Sequence, residues 1–487
     1  MENAKKIASN TISQIISRLF NAVLSVVIIK IITHYLRASG YGEYTLVYEL
    51  VGFFGLACDL GLFTLAVDEM SKQKERMQEI LGNMLGLRLI LILVIGSITS
   101  IAAFVIPTFT WLMSVSVVIA TIGMAAYLIG STVSAALQVH LKMPQFAFAV
   151  IVGKTLSVIY IALAAWFDWG FLHLIIAGVI NNFYVCTLSW YTANKLLPIR
   201  PLFNWQEIYR LLKKSAVYGT ALILGTVYLR INSLILGEAQ DSATVGVFGV
   251  ALRSYELLLL IPFSFMNSVL PSLSAAHMDE NRFNHLLQKS WDILVIIGLG
   301  MCVGSFIMAE SMIQLISTGT DFAGAADLMR VMVIASIFNF LSNLFQYILV
   351  SLNQVKAFWW ITLIEALVAV TFAIIFTPTW AAYGTAWAVV LAQGIHFIGL
   401  VTVANRTRKI PLNFKTTLAT IISIAICAGY LFIIRPWLLP LSPLLSLPLG
   451  FGSTGVLYII LLTLTGGLAP DLLLVLKNKL LASKVKE

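Results

Sequence analysis

The chain has 487 residues, 59% of them hydrophobic and 11% charged, with a formal net charge of +9. With a strongly positive mean hydropathy, that balance cannot be folded around one soluble core, so the sequence reads as an integral membrane protein. The positive charge follows membrane topology, as its distribution below indicates, and gives no reason to expect a nucleic-acid partner.

A window of about twenty residues places spans at 9–36, 42–67, 80–106, 110–139, 146–167, 171–193, 215–236, 245–275, 291–317, 326–352, 358–377, 384–404, 416–435 and 449–468. The expected class is therefore all-α, a polytopic protein of about 14 transmembrane helices. The first stretch carries Arg18 and Lys30 and lacks a small-residue cleavage pattern, so it reads as a retained span rather than a signal peptide. Loops after even-numbered spans, together with both termini, hold 22 of the 31 Lys and Arg residues, against only Arg37 and Arg435 on the other side. The positive-inside rule then puts both termini in the cytoplasm. Ten of the eleven tryptophans, all but Trp387, sit near a proposed span end, where indole rings favour the headgroup zone.

The longest polar interruption, 194–214, contains Pro198, Pro201 and Trp205 and reads as a cytoplasmic linker with an interfacial helix. It divides an N-lobe (1–193, spans 1–6) from a C-lobe (215–404, spans 7–12). An internal echo supports the division, since Gly42-Glu43-Tyr44 opens span 2 after a polar turn as Gly246-Val247-Phe248 opens span 8. Two pseudo-symmetric six-helix lobes are thus expected, then spans 13 and 14 (405–468) and an amphipathic cytoplasmic tail (469–487) whose lysines could rest on anionic membrane lipids.

Several segments resemble the polysaccharide-unit, or lipid-linked oligosaccharide, flippases of the multidrug/oligosaccharidyl-lipid/polysaccharide exporter superfamily. The run Gly40-Tyr41-Gly42-Glu43-Tyr44 with Asp59-Leu60-Gly61-Leu62 is similar to the start of those chains. Tyr228-Leu229-Arg230-Ile231-Asn232-Ser233, followed by Val245-Gly246-Val247-Phe248, Arg253, Pro262 and Leu270-Pro271-Ser272, resembles the start of their second lobe. Leu352-Asn353-Gln354-Val355-Lys356 and Tyr383-Gly384-Thr385-Ala386 extend the similarity. The resemblance implies an alternating carrier of lipid-diphosphate-linked sugars with a central cavity between the lobes. Asp68 stands where many relatives carry a basic residue, and Asn232 where an acid is frequent. If that acid serves cation coupling in relatives, it cannot do so here.

The intramembrane charges lead to a compatible reading. Arg18, Lys30, Arg88, Lys154, Arg230, Arg253 and Arg330 fall inside spans, against Glu49, Asp59, Glu256 and Glu365 as the deeper acids. At about 2.5–3.5 kcal/mol for each charge at the bilayer centre, seven unrelieved cations would cost about 20 kcal/mol, more than a typical net stability. They must snorkel, pair or face water. Lys154 and Arg330 lie near span ends, where the aliphatic stem can carry the charge to the headgroups. Arg253 and Glu256 are three apart on one helical face and either neutralise each other or meet cargo. Arg18, Arg88 and Arg230 are the foremost candidates for a cationic, water-filled cavity, because guanidinium forks match phosphate oxygens in bidentate pairs. The expected handover runs from Arg18, Arg88 and Lys154 to Arg230, Arg253 and Arg330. Asp59 and Glu365 are candidates for coupling to H+ or Na+, with ion pairing as the alternative; Glu49 and Glu256 are secondary candidates. Pro262 frees a backbone carbonyl within span 8 and is a hinge candidate, or a static kink.

Other motifs close without a site. Gly153-Lys154-Thr155 mimics the end of a phosphate loop, but Phe148 stands where glycine is required and the segment is an apolar helix. The four cysteines form no CxxC pair and the six histidines show no ligand spacing, so no metal, cofactor or catalytic nucleophile is expected. Gly82 with Gly86 and Gly300 with Gly304 have the spacing that lets helices approach closely. A drug exporter of the same superfamily would need the opposite intramembrane charge for organic cations. A membrane polymerase or ligase, which would act beside glycosyltransferases of the same pathway, should carry a charged outer loop, whereas the longest here, 436–448, is nearly all Leu, Pro and Ser.

Overall fold

A backbone in hydrocarbon must satisfy its own polar groups, which leaves the helix as the element available to long apolar runs. The computed structural model follows that constraint: it is 88% helical, with no strand among the described residues. It describes residues 2–276, 279–352 and 354–467. The proposed tail at 469–487 lies outside the described residues, as does the side chain of Arg18.

The helices are α1 (Glu2–Asp59), α2 (Leu62–Lys72), α3 (Met77–Val105), α4 (Trp111–Val139), α5 (Met143–Trp166), α6 (Phe171–Asn194) and α7 (Trp205–Ala239). They continue as α8 (Ser242–Ala275), α9 (Glu280–Ile307), α10 (Ala309–Ile316), α11 (Ala325–Ser351), α12 (Val355–Thr407), α13 (Lys415–Leu438) and α14 (Pro443–Leu464). Among the described residues, 11 helical stretches are long and apolar enough to cross a membrane. Two of these run for 53 residues, about 80 Å if straight, far beyond a hydrocarbon core of about 30 Å. The first contains the Leu60–Gly61 break between α1 and α2, and each has one kink inside a helix, Arg37 (φ 58°) in α1 and Ala381 (φ 48°) in α12. Divided at the two kinks, they supply four crossings, and α7 completes fourteen.

Three boundaries differ from the sequence reading. Span 2 is interrupted where Leu60 (φ 43°) and Gly61 (φ 67°) separate α1 from α2. The interfacial helix expected in the linker is the first part of α7, which runs unbroken from its cap: the Asn204 side chain accepts hydrogen bonds from the backbone N–H of Gln206 and Glu207. Span 9 begins within α9 and ends in the separate α10. The α8 helix continues through both Pro262 and Pro271.

Two compact units are present. The first comprises Met1–Gly249, Ile316–Phe322 and Ala366–Thr385, with a core around Leu62, Met84, Val133 and Leu211. The second comprises Val250–Leu315, Ala323–Glu365 and Ala386–Glu487, its core built on Phe283, Leu294, Phe340 and Leu344. Gly82 and Gly86 serve a purpose other than helix-to-helix approach. The extended linker crosses α3 there, with Leu202 N–H donating to the Gly82 carbonyl at 2.9 Å, and a Cβ on either glycine would strike linker backbone. Gly300 and Gly304 do admit a helix, since the rings of Tyr458 and Phe451 on α14 lie against them.

Candidate functional site

The interruption at Asp59 leaves the last carbonyls of α1 without helical partners, and a buried arginine takes that position. Arg88 on α3 has no exposed surface. It donates from Nη1 to the Cys58 carbonyl at 2.6 Å, from Nη2 to Asp59 Oδ1 at 2.8 Å and from Nε to Thr132 Oγ1 at 3.0 Å. One guanidinium thus ties α1, α3 and α4 together. Asp59 is 42% exposed on the far side of the pair, so the carboxylate, rather than the arginine, is the member open to a visitor.

Beside this junction the first unit contains a cavity of about 650 Å³, within the usual range for small-molecule sites. Its polar lining comes from the amides of Gln14, Asn21, Gln138, Asn181 and Asn182 and the hydroxyls of Ser17, Ser131 and Ser134. Phe63, Tyr127 and Phe146 add aromatic faces, and Lys154 is the one charged side chain among the described lining residues. Arg18 lies between the lining residues Ser17 and Asn21 on α1, its side chain outside the described residues. Amides and hydroxyls in this number offer paired donors and acceptors, the chemistry that matches sugar hydroxyls, while Lys154 offers a point charge to an anion.

Most of the other intramembrane cations meet acids. Arg230 donates to Glu49 at 2.8 Å in the first unit, and the Glu49 side chain is 1% exposed. The Arg230 guanidinium lies over Gly52, where any Cβ would displace it. In the second unit Arg253 pairs with Glu256 at 2.6 Å, and Arg330, expected to snorkel, instead bonds Asp327 and Glu310, with Arg435 on the same Glu310 oxygen. Lys30 lies in α1 and has no ion pair among the described residues.

One cluster escaped the sequence reading, and of a second only Glu365 was anticipated. Glu69 on α2, nearly buried, accepts from Lys214 at 2.8 Å and Arg210 at 3.0 Å on α7. Glu207, and then Glu69, hold the Arg210 guanidinium above its ordinary pKa by hydrogen bonding. In the second unit, Glu365 accepts from Gln393 at 2.6 Å, and His396 Nδ1 lies 2.6 Å from its other oxygen. The ring N–H is not aimed along that line, although both side chains are more than nine-tenths buried. Asn339 extends the network to Gln393. No histidine spacing signalled this group, because Glu365 and His396 come from the two halves of a kinked helix.

Fold and charges define a polytopic helical membrane protein with paired intramembrane ions and a polar cavity in its first unit. The chain matches the family described as polysaccharide biosynthesis protein over residues 31–321, more than half its length, and belongs to that family. No curated protein matches it in sequence. Among solved structures it is similar to the lipid II flippase MurJ in an inward closed conformation, with a TM-score of 0.76 and 14% identity over 94% of this chain and 98% of that one. It is also similar to an inward-facing multidrug resistance MATE family transporter of the MOP superfamily, with a TM-score of 0.66 and 13% identity over 81% and 96%. A third is the MATE multidrug transporter DinF-BH, with a TM-score of 0.61 and 17% identity over 83% and 96%. These likenesses establish that the chain shares the fold of those proteins.

Proposed function

We propose that this protein is a flippase that moves polyprenyl-diphosphate-linked oligosaccharide from the inner to the outer leaflet of the cytoplasmic membrane by alternating access. The observation that carries the reading is the lining of the first-unit cavity, rich in amides and hydroxyls with aromatic faces and Lys154 as its charge. Such a lining suits an uncharged sugar with an adjacent phosphate, whereas an organic cation would meet the like charge of Lys154 and find only the aromatic faces in its favour. Membership of a polysaccharide biosynthesis family supports the same cargo class.

In this reading the lobes are 1–193 and 215–404, joined by 194–214, with both termini cytoplasmic. The sugar occupies the cavity, Lys154 and Arg18 receive the diphosphate, and the lipid tail stays in the bilayer. Glu365, with Gln393 and His396, carries the coupling ion, H+ or Na+, and Pro262 bends as the lobes rock. Arg88 and Arg230 act through Asp59 and Glu49, as supports of the site rather than as direct ligands.

A strain lacking the protein should accumulate lipid-linked sugar on the inner leaflet, and the wild-type chain should clear it. Lys154→Gln should fail to do so at normal protein abundance, whereas Lys154→Arg should retain most of the activity. Full clearance by Lys154→Gln would remove the assignment, and export of organic cations without sugar movement would favour a drug exporter.

A further inference from the structure

The first unit has a second cavity, of about 500 Å³, and three helices end at it. Ile106 follows the last residue of α3; Gly237, Glu238 and Ala239 are in the last turn of α7; Ile374 and Pro378 lie in the last two turns of α12 before its break at Ala381. All of these residues belong to the first unit. The cavity stands before the start of α4, at Thr108 and Phe109, whereas the polar cavity meets the later turns of that helix at Tyr127, Ser131, Ser134 and Gln138. A helix C-terminus presents unpaired carbonyls and the negative end of its dipole, which a basic side chain in the last turn commonly offsets. Neither α3 nor α7 has one, and 376–380 has none in α12.

A carboxylate adds to that negative rim. Glu238 is exposed, accepts from Thr108 Oγ1 at 2.8 Å and has no ion pair among the described residues. Gln240 Nε2 donates to the Thr377 carbonyl at 3.4 Å, joining the ends of α7 and α12 without supplying charge. Below the rim the lining is apolar, with Leu46, Leu234 and Ile235 among its residues. Trp111, 75% exposed, and Trp380, 55% exposed, stand two residues beyond the lining residues Phe109 and Pro378, and indole rings mark headgroup depth. The charge distribution along the sequence leaves this side of the membrane only Arg37 and Arg435. An apolar recess under an uncompensated negative rim, at headgroup depth, is the complement of an amphiphile with an acyl chain and a cationic head. A bare divalent cation would want about six oxygens and find a single carboxylate, and an anionic lipid would be repelled.

We propose that this cavity is a lipid site selective for a phospholipid with a primary-amine headgroup, its ammonium bonded to Glu238 and one acyl chain seated against Leu46, Leu234 and Ile235. The ammonium offers three N–H donors, which the free lone pairs of Glu238 and the Thr108 hydroxyl oxygen accept. The lipid is a resident of the site rather than cargo, and it holds the ends of α3, α7 and the first half of α12 together by neutralising the charge they share.

The test adds phosphatidylethanolamine, phosphatidylcholine or phosphatidylglycerol, with matched acyl chains, to full-length protein delipidated in detergent. Retention is read by native mass spectrometry and stability by the thermal midpoint. Phosphatidylethanolamine should be retained several-fold more than phosphatidylglycerol and raise the midpoint by several degrees; phosphatidylcholine, whose quaternary head has no N–H, should fall between them. Glu238→Gln should abolish the preference without lowering the lipid-free midpoint, since a carboxylate at a helix C-terminus is itself unfavourable. Ile374→Trp, at a lining position 57% exposed, fills the recess and should lower retention of all three lipids. Equal retention of phosphatidylethanolamine and phosphatidylglycerol would overturn the proposal, as would a preference that survives Glu238→Gln. A midpoint raised by a single-chain alkylamine but not by phosphatidylethanolamine would also overturn it, making the occupant a hydrophobic amine instead of a membrane lipid. No arm of the experiment requires sugar movement, so its outcome is independent of the cargo proposed above.

Discussion

Arg88 and Lys154 are both single cations in apolar helices, yet their surroundings give their removal different consequences. Truncating Arg88 would leave the Cys58 carbonyl at a helix end without its donor, at about 1–3 kcal/mol, while the Asp59 carboxylate, 42% exposed, is taken up by water. Against a typical margin of about 5–15 kcal/mol, Arg88→Leu should stay folded but lose stability, seen as a lowered thermal midpoint in detergent. Lys154→Gln keeps a polar, hydrogen-bonding side chain at the cavity wall, so its midpoint should fall less than that of Arg88→Leu while ligand-dependent behaviour is lost. An Arg88→Leu protein as stable as its parent would show that the junction does not depend on the guanidinium. The sequence disclosed that these cations lay inside spans and had to be relieved; it could not disclose by what. Arg230 and Glu49 are 181 positions apart, and only the packed helices place one beside the other.

Helix ends and helix breaks decide where those residues stand. Asp241 begins α8, its Oδ1 accepting from the Thr244 backbone N–H at 3.1 Å, and Thr244 hydrogen bonds hold the Asp241 carboxyl below its usual pKa. A carboxyl depressed by folding stabilises the fold above its unfolded pKa, and that contribution fades as pH falls through the folded value. Loss of the cap by Asp241→Ala should cost about 1 kcal/mol at neutral pH. The difference between parent and variant melting midpoints should narrow once the pH drops below the ordinary aspartate value, about 3.9. A gap that stays constant from pH 7 to pH 3 would mean that the carboxylate is not the capping group. Hydropathy located the crossings well because burial of long apolar runs is a local property. The kinks at Arg37 and Ala381 fall in the turns that hydropathy placed at 37–41 and 378–383, whereas the break at Leu60 was not legible because it interrupts an apolar run; tertiary packing holds all three in left-handed backbone at a cost of about 1–3 kcal/mol each. Gly82 and Gly86 on α3 misled for a related reason: spacing shows that something approaches closely, and the structure supplies what it is, the linker backbone at Arg200–Leu202.

At the scale of the whole molecule, orientation is the property on which inner and outer labels depend, and the distribution of charge is the argument for it. Lys195 and Lys213 fall on the side holding 22 cations, while the proline- and leucine-rich loop at 436–448 falls on the side holding two. Translocating a loop dense in lysine and arginine is disfavoured strongly enough that the bias sets topology. In a cysteine-free background, Lys195→Cys should react with an impermeant maleimide only after the membrane is opened, and Leu441→Cys should react in intact cells. Both positions are well placed for the measurement, since Lys195 ends α6 and Leu441 lies between α13 and α14. The reverse pattern would invert every leaflet assignment, and the cavity end of α1 at Gln14–Asn21 would lie toward the outside. The paired charges and the cavity lining would stand unchanged, but cargo would have to enter from the opposite side. Labelling of both sites in intact cells would instead mean that at least one crossing between them had been misplaced.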